Sequence, residues 1–373
     1  VTILLPVLLV FSAIYCITLL LFWVGLWRPA PQRTRRPLSM SVVIPIKNER
    51  ARLPVLLDHL RQQEYPADLY EVIIIDDHST DGSLEYLQAA ALQFPQMRVI
   101  DGRQYSSQYR YKKAPMDLGI RLSKGEVILS TDADCRMGPD WISGMAAYFQ
   151  EDVAMVVGFS GVRAAMGLFS KLQSLDFLLL MGAAQGALNL ELSWGCSGQN
   201  LAYRKSVFEE VNGYAEISDR VGGDDSLFMQ LIRRHKKGKI VFAADPQARV
   251  QNLPVPELST FLRQRIRWAS EANYMHRLNP VFFAVVLSAF VVNISALAAL
   301  VGWCCGLLSL PAMLALTGSK LLVELTLCMK VSALYQEKGL RKWFPLWFLL
   351  QMPYVIAMGV GSFWGNRLGW GTK

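Results

Sequence analysis

Three carboxylate pairs carry the potential chemistry of this 373-residue chain: Asp76-Asp77, Asp132-Ala133-Asp134 and Asp224-Asp225. The middle pair has a spacing with a physical consequence. In an extended segment residues i and i+2 face the same way, so Asp132 and Asp134 converge on one hard cation. Mg²⁺ or Mn²⁺ prefers such oxygen ligands and shares them with substrate phosphates. The other two pairs each have an ordinary structural use as well. Asp76-Asp77 lies in IIIDDHSTDGS, where Asp, Ser and Gly favour turns and caps. Asp224-Asp225 suits a helix N-terminus, where the dipole stabilises carboxylates. A fourth constellation is the strip FLRQRIRWAS at 261–270, basic and aromatic, just before a long apolar stretch from Val281. It reads either as an amphipathic strip on a membrane surface or as part of a site.

A scaffold must bring these groups together, and the pattern from Ser41 onward supplies one. SVVIPI is a β-branched run suited to a buried parallel strand, followed by Lys47-Asn48-Glu49 and a helical stretch, Leu53–Gln63. EVIIIDDHSTDGS repeats the scheme, RVIDG reads as a third strand, and GEVILSTDADC as a fourth that ends in carboxylates. Strands alternating with helices predict an α/β domain with a mainly parallel sheet. Ligands of such sheets bind at the carboxyl ends of the strands, where the aspartates fall. No GxGxxG follows a first strand, Gly222-Gly223 stands in another context, and the Walker A pattern is absent. A phosphate group bound here therefore needs a metal rather than a glycine cradle. Asp132 and Asp134, behind Lys113 and Gly125, offer it.

The rest of the chain is apolar: 52% of residues are hydrophobic and only 18% charged. Residues 1–27 carry no charge and end at Trp23, Trp27 and Arg28, long enough for the roughly 20 residues a membrane core requires. A signal peptide would show a positive n-region and a shorter apolar core, so an anchor is expected. Three further spans are predicted at about Val281–Trp303, Gly306–Met329 and Trp343–Trp364. The net charge of +8 raises nucleic acid as a partner. Yet Arg28, Arg33, Arg35 and Arg36 follow the first span, and Arg277, Lys338, Arg341 and Lys342 flank the later ones. Topology explains them: the central domain is expected on the cytoplasmic side, the hairpin dips outward, and the tail lies outside. No nucleic-acid role is expected. The six cysteines show no CxxC pair or zinc spacing and are expected as reduced thiols. Lys320 and Glu324, four apart inside the third span, are expected as an ion pair.

Taken in order, VVIPIKNE, IIIDDHSTDGS, KKAPMDLGI with GEVILSTDADC, GCSGQNLAYRKSVFEEVNGY, GGDDSLFMQLI and QRIRW make the chain resemble a membrane-bound family 2 glycosyltransferase with the GT-A fold. The resemblance covers roughly Ser41 to Ser270. It implies an inverting, metal-dependent (Mn²⁺ or Mg²⁺) transfer from a nucleotide diphosphate sugar, uridine being the family default, to a hydroxyl acceptor. By the same resemblance Pro45, Asn48 and Glu49 line the nucleotide pocket, Asp77 meets the base and Asp76 shapes the turn. Lys113 would stand near the diphosphate, Asp132 at the ribose or metal, and Asp134 at the metal. Gly198, Gln199 and Asn200 resemble the acceptor-side loop, Asp224-Asp225 the acidic pair with Asp225 as base, and Gln264, Arg267 and Trp268 the Q-x-x-R-W motif. A membrane anchor suits a lipid acceptor. A processive polysaccharide synthase is the alternative, but about three helices follow the motif and the strip ends Trp-Ala-Ser rather than Trp-Ala-x-Gly, which favours single transfer. A non-catalytic scaffold is a second alternative, opposed by the intact Asp132, Asp134, Asp225 and Trp268.

The expected organisation is an anchor over 1–27, a cytoplasmic catalytic domain over 38–257, an interfacial Q-x-x-R-W helix over 258–278 and membrane segments over 281–365. That is a multi-pass protein of a bacterial-type cytoplasmic (inner) membrane, with the oligomeric state left unspecified. Within the strip, Gln264, Arg267 and Trp268 fall within about one helical turn and would form a lid over the sugar site. Arg263 and Arg265 would then meet lipid phosphates.

Overall fold

The computed structural model describes residues 4–34 and 36–368. Arg35 and the end of the expected outer tail lie outside the described residues. The chain clusters into two compact units: Pro29–Arg163 with Glu191–Leu253 and Arg367–Lys373, and Val1–Arg28 with Ala164–Leu190 and Pro254–Asn366. The stretch 38–257 thus contributes to both, because 164–190 and 254–257 cluster with the apolar helices.

The first unit is built on ten strands: β1 (Met40–Ile46), β2 (Tyr70–Asp76), β3 (Met97–Asp101), β4 (Val127–Ser130), β5 (Arg136–Met137), β6 (Val153–Gly158), β7 (Ser160–Val162), β8 (Leu201–Arg204), β9 (Lys239–Ala243) and β10 (Val250–Asn252). Seven form a sheet in the order β3-β2-β1-β4-β8-β6-β9, and β5-β10-β7 form a smaller one. In the large sheet only β8 runs against its neighbours; the remaining pairings are parallel. The apolar runs are continuous because both faces are covered. Val42, Ile44, Val72, Ile74, Val127 and Leu129 pack in a core with Leu53, Leu56, Leu57 and Leu60 of α2 (Leu53–Arg61). Those leucines recur at i, i+3, i+4 and i+7, one stripe of a helix. The other face meets a helix at Gly119, where an added Cβ would lie 2.5 Å from Val43 and Ile75 side chains.

Chain order fixes where a ligand belongs. β1, β2 and β3 step outward in one direction, and β4 then returns to the far side of β1. The crevice between β1 and β4 is a topological switch point, where open α/β sheets bind ligands. The loops leaving β1, β2 and β4 carry Lys47-Asn48-Glu49, Asp77-His78 and Asp132-Ala133-Asp134. Four further helices complete the unit around these strands: α3 (Ser83–Ala91), α4 (Lys113–Leu122), α5 (Trp141–Ala146) and α7 (Lys205–Glu210), with α8 (Ser226–Arg234) after the acidic pair.

The second unit is helical: α1 (Leu4–Gly25), α6 (Leu168–Leu188), α9 (Leu258–Leu278), α10 (Pro280–Cys304), α11 (Leu310–Leu334) and α12 (Phe344–Gly365). Among the described residues, four segments are long and apolar enough to cross a membrane: Pro6–Gly25, Pro280–Cys304, Leu310–Leu334 and Lys338–Gly365. The Asn279 and Ser309 side chains cap α10 and α11 by accepting from the Phe282 and Ala312 N–H groups. The expected Lys320–Glu324 pair is present at 2.7 and 2.8 Å, and Lys320 also reaches Gln351 Oε1 at 2.7 Å. Glu324 in turn accepts from the Tyr15 hydroxyl, so one polar cluster joins α1, α11 and α12. Helix α6 has no counterpart in the sequence reading. Glycines seat it: a Cβ on Gly186 would lie 2.3 Å from the Phe22 carbonyl oxygen, and one on Gly25 2.0 Å from that of Gly186.

Candidate active site

Backbone geometry at the strand ends organises the first part of the site. Asn48 has φ +56, a left-handed conformation that asparagine tolerates. Its side-chain oxygen accepts from the Thr80 N–H at 2.8 Å, while its own N–H donates to Ser79 Oγ at 2.9 Å. The Glu49 N–H donates to Ser83 Oγ at 3.1 Å, and its carboxylate pairs with Arg52 at 2.6 Å. The loops after β1 and β2 are thereby stitched together. Asp76 is fully buried; one carboxylate oxygen accepts from the Ser79 N–H at 3.0 Å, and Oδ1 has no hydrogen-bond partner among the described residues. Asp77 is more open and contacts Lys47 Nζ at 3.4 Å and His78 Nδ1 at 3.0 Å. These three residues line a cavity of about 410 Å³ whose opposite wall is Tyr105, Ser106, Tyr109, Arg110 and Tyr111. Nothing in the apolar periodicity marked that second wall, which is irregular chain between β3 and α4.

The D-x-D pair lies in a turn rather than in an extended segment, a correction to the sequence reading. β4 ends at Ser130, and the Cys135 N–H closes a turn on the Asp132 carbonyl at 3.1 Å. The two carboxylates still interact. Burial first, then Asp132, raises the Asp134 carboxyl to about 6.

The lysine beside them is Lys112, not Lys113. Lys112 Nζ lies 2.8 Å from Asp132 and 3.2 Å from Asp224. Burial works against its charge, but Asp132, Asp224 and Asp225 outweigh that and hold the ammonium well above the usual lysine range. Lys113 is fully buried and donates to the Arg220 backbone carbonyl. At the start of α4 adjacent side chains point about 100° apart, so only one of the two lysines can face the strand ends. Composition could not choose between them.

Asp225 caps α8 and accepts from the Ser226 N–H at 2.5 Å and from the Gly198 N–H at 2.8 Å. The helix-terminus reading therefore applies to it. Burial, then Asp224, raises its carboxyl, against the pull of the two N–H groups and Lys112. Gly198 makes room for this contact: a Cβ there would sit 3.2 Å from Asp225 Oδ2. Gln199 is buried, and its Oε1 has no hydrogen-bond partner among the described residues; its backbone carbonyl accepts from Thr131 Oγ1 at 2.9 Å. Asn200 is corrected from a ligand contact to a structural brace. Its amide donates to Phe159 and Ala248 carbonyls at 3.0 and 2.7 Å and accepts from Trp141 Nε1 at 3.0 Å. Pro45 is a strand residue within β1.

In the helical unit, Gln264 and Arg267 are half-buried on α9. Arg265 does not face lipid, contrary to expectation. It is 4% exposed, pairs with Asp176 at 3.2 Å and lies over Trp268, Phe261 and Phe177 at 4.4, 4.9 and 5.6 Å. The missed helix α6 supplies both Asp176 and Phe177. Arg263 is exposed.

With the geometry in view, similarity to known proteins can be stated. A mannosyltransferase from Pyrobaculum calidifontis, solved with GDP-Man and Mn²⁺, matches 96% of this chain and 98% of that one at a TM-score of 0.63 and 20% identity, which establishes a shared GT-A-like α/β fold. A β-monoglucosyldiacylglycerol synthase of Nostoc sp. is 32% identical over 127 residues, 34% of this chain and 26% of the relative. An undecaprenyl-phosphate 4-deoxy-4-formamido-L-arabinose transferase of Aeromonas hydrophila is 31% identical over 176 residues, 46% of this chain and 51% of the relative. The match thus spans about half, or less, of these curated relatives. The glycosyl transferase family 2 model matches 41–211, from β1 past the acceptor-side loop. A second family model extends from β4 through the acidic pair and α9 into α12, over 127–360, so the chain belongs to glycosyl transferase family group 2.

Proposed function

We propose that the chain transfers a sugar from a nucleotide diphosphate sugar to a hydroxyl group of a membrane-embedded lipid. The observation that carries this reading is Lys112, a largely enclosed ammonium spanning Asp132 and Asp224 at the switch point of the sheet. It puts a fixed cation beside the D-x-D turn and one residue from the carboxylate suited to accept a proton.

The nucleoside belongs in the 410 Å³ cavity, its base against Asp77 and the aromatic wall, with a uracil base the first to test. The carboxylates of Asp132 and Asp134 fit a divalent cation. They are hard donors held close enough that burial and mutual repulsion keep Asp134 partly protonated near pH 6. Two protein carboxylates leave room for phosphate and water oxygens, the arrangement Mg²⁺ favours. When bound there, Mn²⁺ or Mg²⁺ supplies positive charge to the diphosphate. Lys112 adds a second, covalently fixed charge where negative charge builds on the leaving oxygen. Asp225, oriented by the Gly198 and Ser226 N–H groups, takes the proton of the acceptor hydroxyl as its oxygen attacks the anomeric carbon and the bond to the diphosphate oxygen breaks. One displacement of this kind inverts the anomeric centre. Asp224 is held by Lys112 at 3.2 Å, which leaves Asp225 as the proposed base.

Gln264 and Arg267 are proposed as donor-side groups. In support, neither side chain makes a hydrogen bond or ion pair with another described residue. Trp268 is proposed as the acceptor platform. The lipid acceptor is supported by the four apolar segments and by relatives whose names specify a diacylglycerol and an undecaprenyl-phosphate. The basic residues after α1 and before α12 support a catalytic unit on the cytoplasmic side. Membranes holding the chain, given labelled sugar nucleotides and Mn²⁺, should yield a small product extractable into organic solvent. A product of high mass retained in the aqueous phase would replace single transfer with polymer synthesis.

A further inference from the structure

One end of the apolar helices collects cations that the transfer chemistry does not use. Lys330, near the C-terminal end of α11, places its ammonium 3.2 Å from the centre of the Trp27 ring, just past the end of α1. Lys171, in the first turn of α6, lies 5.2 Å over Trp343, and Lys342 lies 5.6 Å from the same ring. Lys338 opens the 3₁₀ turn Lys338–Trp343 that leads into α12. Arg341 of that turn is spent on the helix end, donating to Ser332 Oγ at 2.7 Å and to the Met329 carbonyl at 2.9 Å. It locks the turn against α11. Lys171, Lys330, Lys338 and Lys342 have no carboxylate within ion-pair distance among the described residues, whereas thirteen other lysine and arginine side chains do. The opposite turn of the α10–α11 hairpin, 305–309, carries no charge at all.

We propose that these four lysines, framed by Trp27 and Trp343, bind the headgroups of anionic membrane lipids, at a place separate from the sugar-transfer site. Trp27 is 63% exposed although it ends an apolar helix, and tryptophan in that position sits at the headgroup level of a bilayer. Lysine stems lie along the apolar helix ends while the ammonium groups extend to the phosphates. Cations at the ends of spanning helices with no carboxylate partner among the described residues find their counter-ions in the lipid. Each lysine near an anionic surface favours binding by about fivefold, so four acting together give a preference well above tenfold. The inference rests on the apolar helices lying in a bilayer. It does not depend on which sugar or acceptor the active site takes.

The test uses the full chain purified in neutral detergent, offered phosphatidylglycerol or phosphatidylcholine of matched acyl chains, with retained lipid counted by native mass spectrometry. Wild type should keep phosphatidylglycerol at least tenfold more often, and added salt should reduce that ratio. The quadruple variant Lys171→Gln/Lys330→Gln/Lys338→Gln/Lys342→Gln should lose the preference, while the matching four-fold change to Arg should keep it. Equal retention of the two lipids by wild type, or an unchanged preference in the Gln variant, overturns the site. Inorganic phosphate that strips the lipid at equal concentration also overturns it, because it would identify a phosphate site rather than a lipid surface. A chain that stays soluble without detergent and retains neither lipid overturns the bilayer reading and the site with it. Sugar transfer to added acceptor in detergent reports separately on the catalytic proposal.

Discussion

Two adjacent lysines show how much a single residue step decides. Lys112 faces the carboxylates and Lys113 is turned to the Arg220 carbonyl, in the segment that precedes Gly223-Asp224-Asp225. Replacing Lys112 by Met should raise the donor KM about tenfold or more, the loss expected for a charge-assisted contact, with the fold retained. Replacing Lys113 by Met should mainly lower stability, read as a fall in melting temperature, because a buried carbonyl loses its donor. The opposite assignment of effects would return the donor role to Lys113. Asp225→Asn should cut turnover by about 10²–10⁴-fold, the contribution of a positioned base, while leaving sugar-nucleotide binding intact by calorimetry. Since burial raises the Asp225 carboxyl, kcat should fall on its acidic side at a higher pH than an exposed aspartate would impose. Near-normal turnover in Asp225→Asn would exclude it as the base.

At the scale of elements, close backbone approach matters more than side-chain identity. Gly198 lets its N–H reach Asp225 from the loop before β8 while α8 presents the carboxylate. Gly198→Ala introduces a Cβ 3.2 Å from Oδ2, so the carboxylate must shift by a few tenths of an ångström. Turnover should drop by about tenfold or more with little change in melting temperature, as small misplacements of reacting groups are costly. An unchanged kcat would show that the Gly198 contact does not position the base. Helix α6 depends on glycine in a different way. Gly186→Leu would drive a side chain into the Phe22 carbonyl, and overpacking of this kind costs about 1–3 kcal/mol. Its signature is a chain that extracts and inserts normally but melts at lower temperature in detergent.

The helical unit as a whole is held by a buried charge cluster that the sequence marked but did not explain. Lys320, Glu324, Gln351 and Tyr15 satisfy one another and come from three helices. Lys320 also lies 4.3 Å from the centre of the Phe348 ring. Because every member is engaged, the cluster reads as a device that fixes helix register rather than as a path for substrate. Lys320→Met leaves a buried carboxylate without its cation and should cost about 3–5 kcal/mol. The double change Lys320→Met/Glu324→Gln removes both charges and should recover much of that loss in a thermal-melting series. Additive losses in the double variant would mean that the two residues act separately.

Composition and periodicity sufficed for the architecture. Continuous β-branched runs suit strands buried on both faces, and apolar stretches of twenty residues or more have few other uses. The carboxylates were legible too, since strand-end aspartates in repeated register point to a ligand at the carboxyl edge. What remained hidden depends on angles and on distant chain. Helix phase chose Lys112 over Lys113, and a turn rather than a strand placed Asp132 against Asp134. Packing enclosed Asn200 and Arg265, two polar residues that sequence alone assigns to ligands. The aromatic wall of the cavity beside Asp77 has no period to detect, and α6 was overlooked because its apolar residues lie on all sides instead of on one stripe. Local propensity is written in the order of residues; which polar groups face a ligand and which brace the fold is settled only when segments a hundred residues apart close around them.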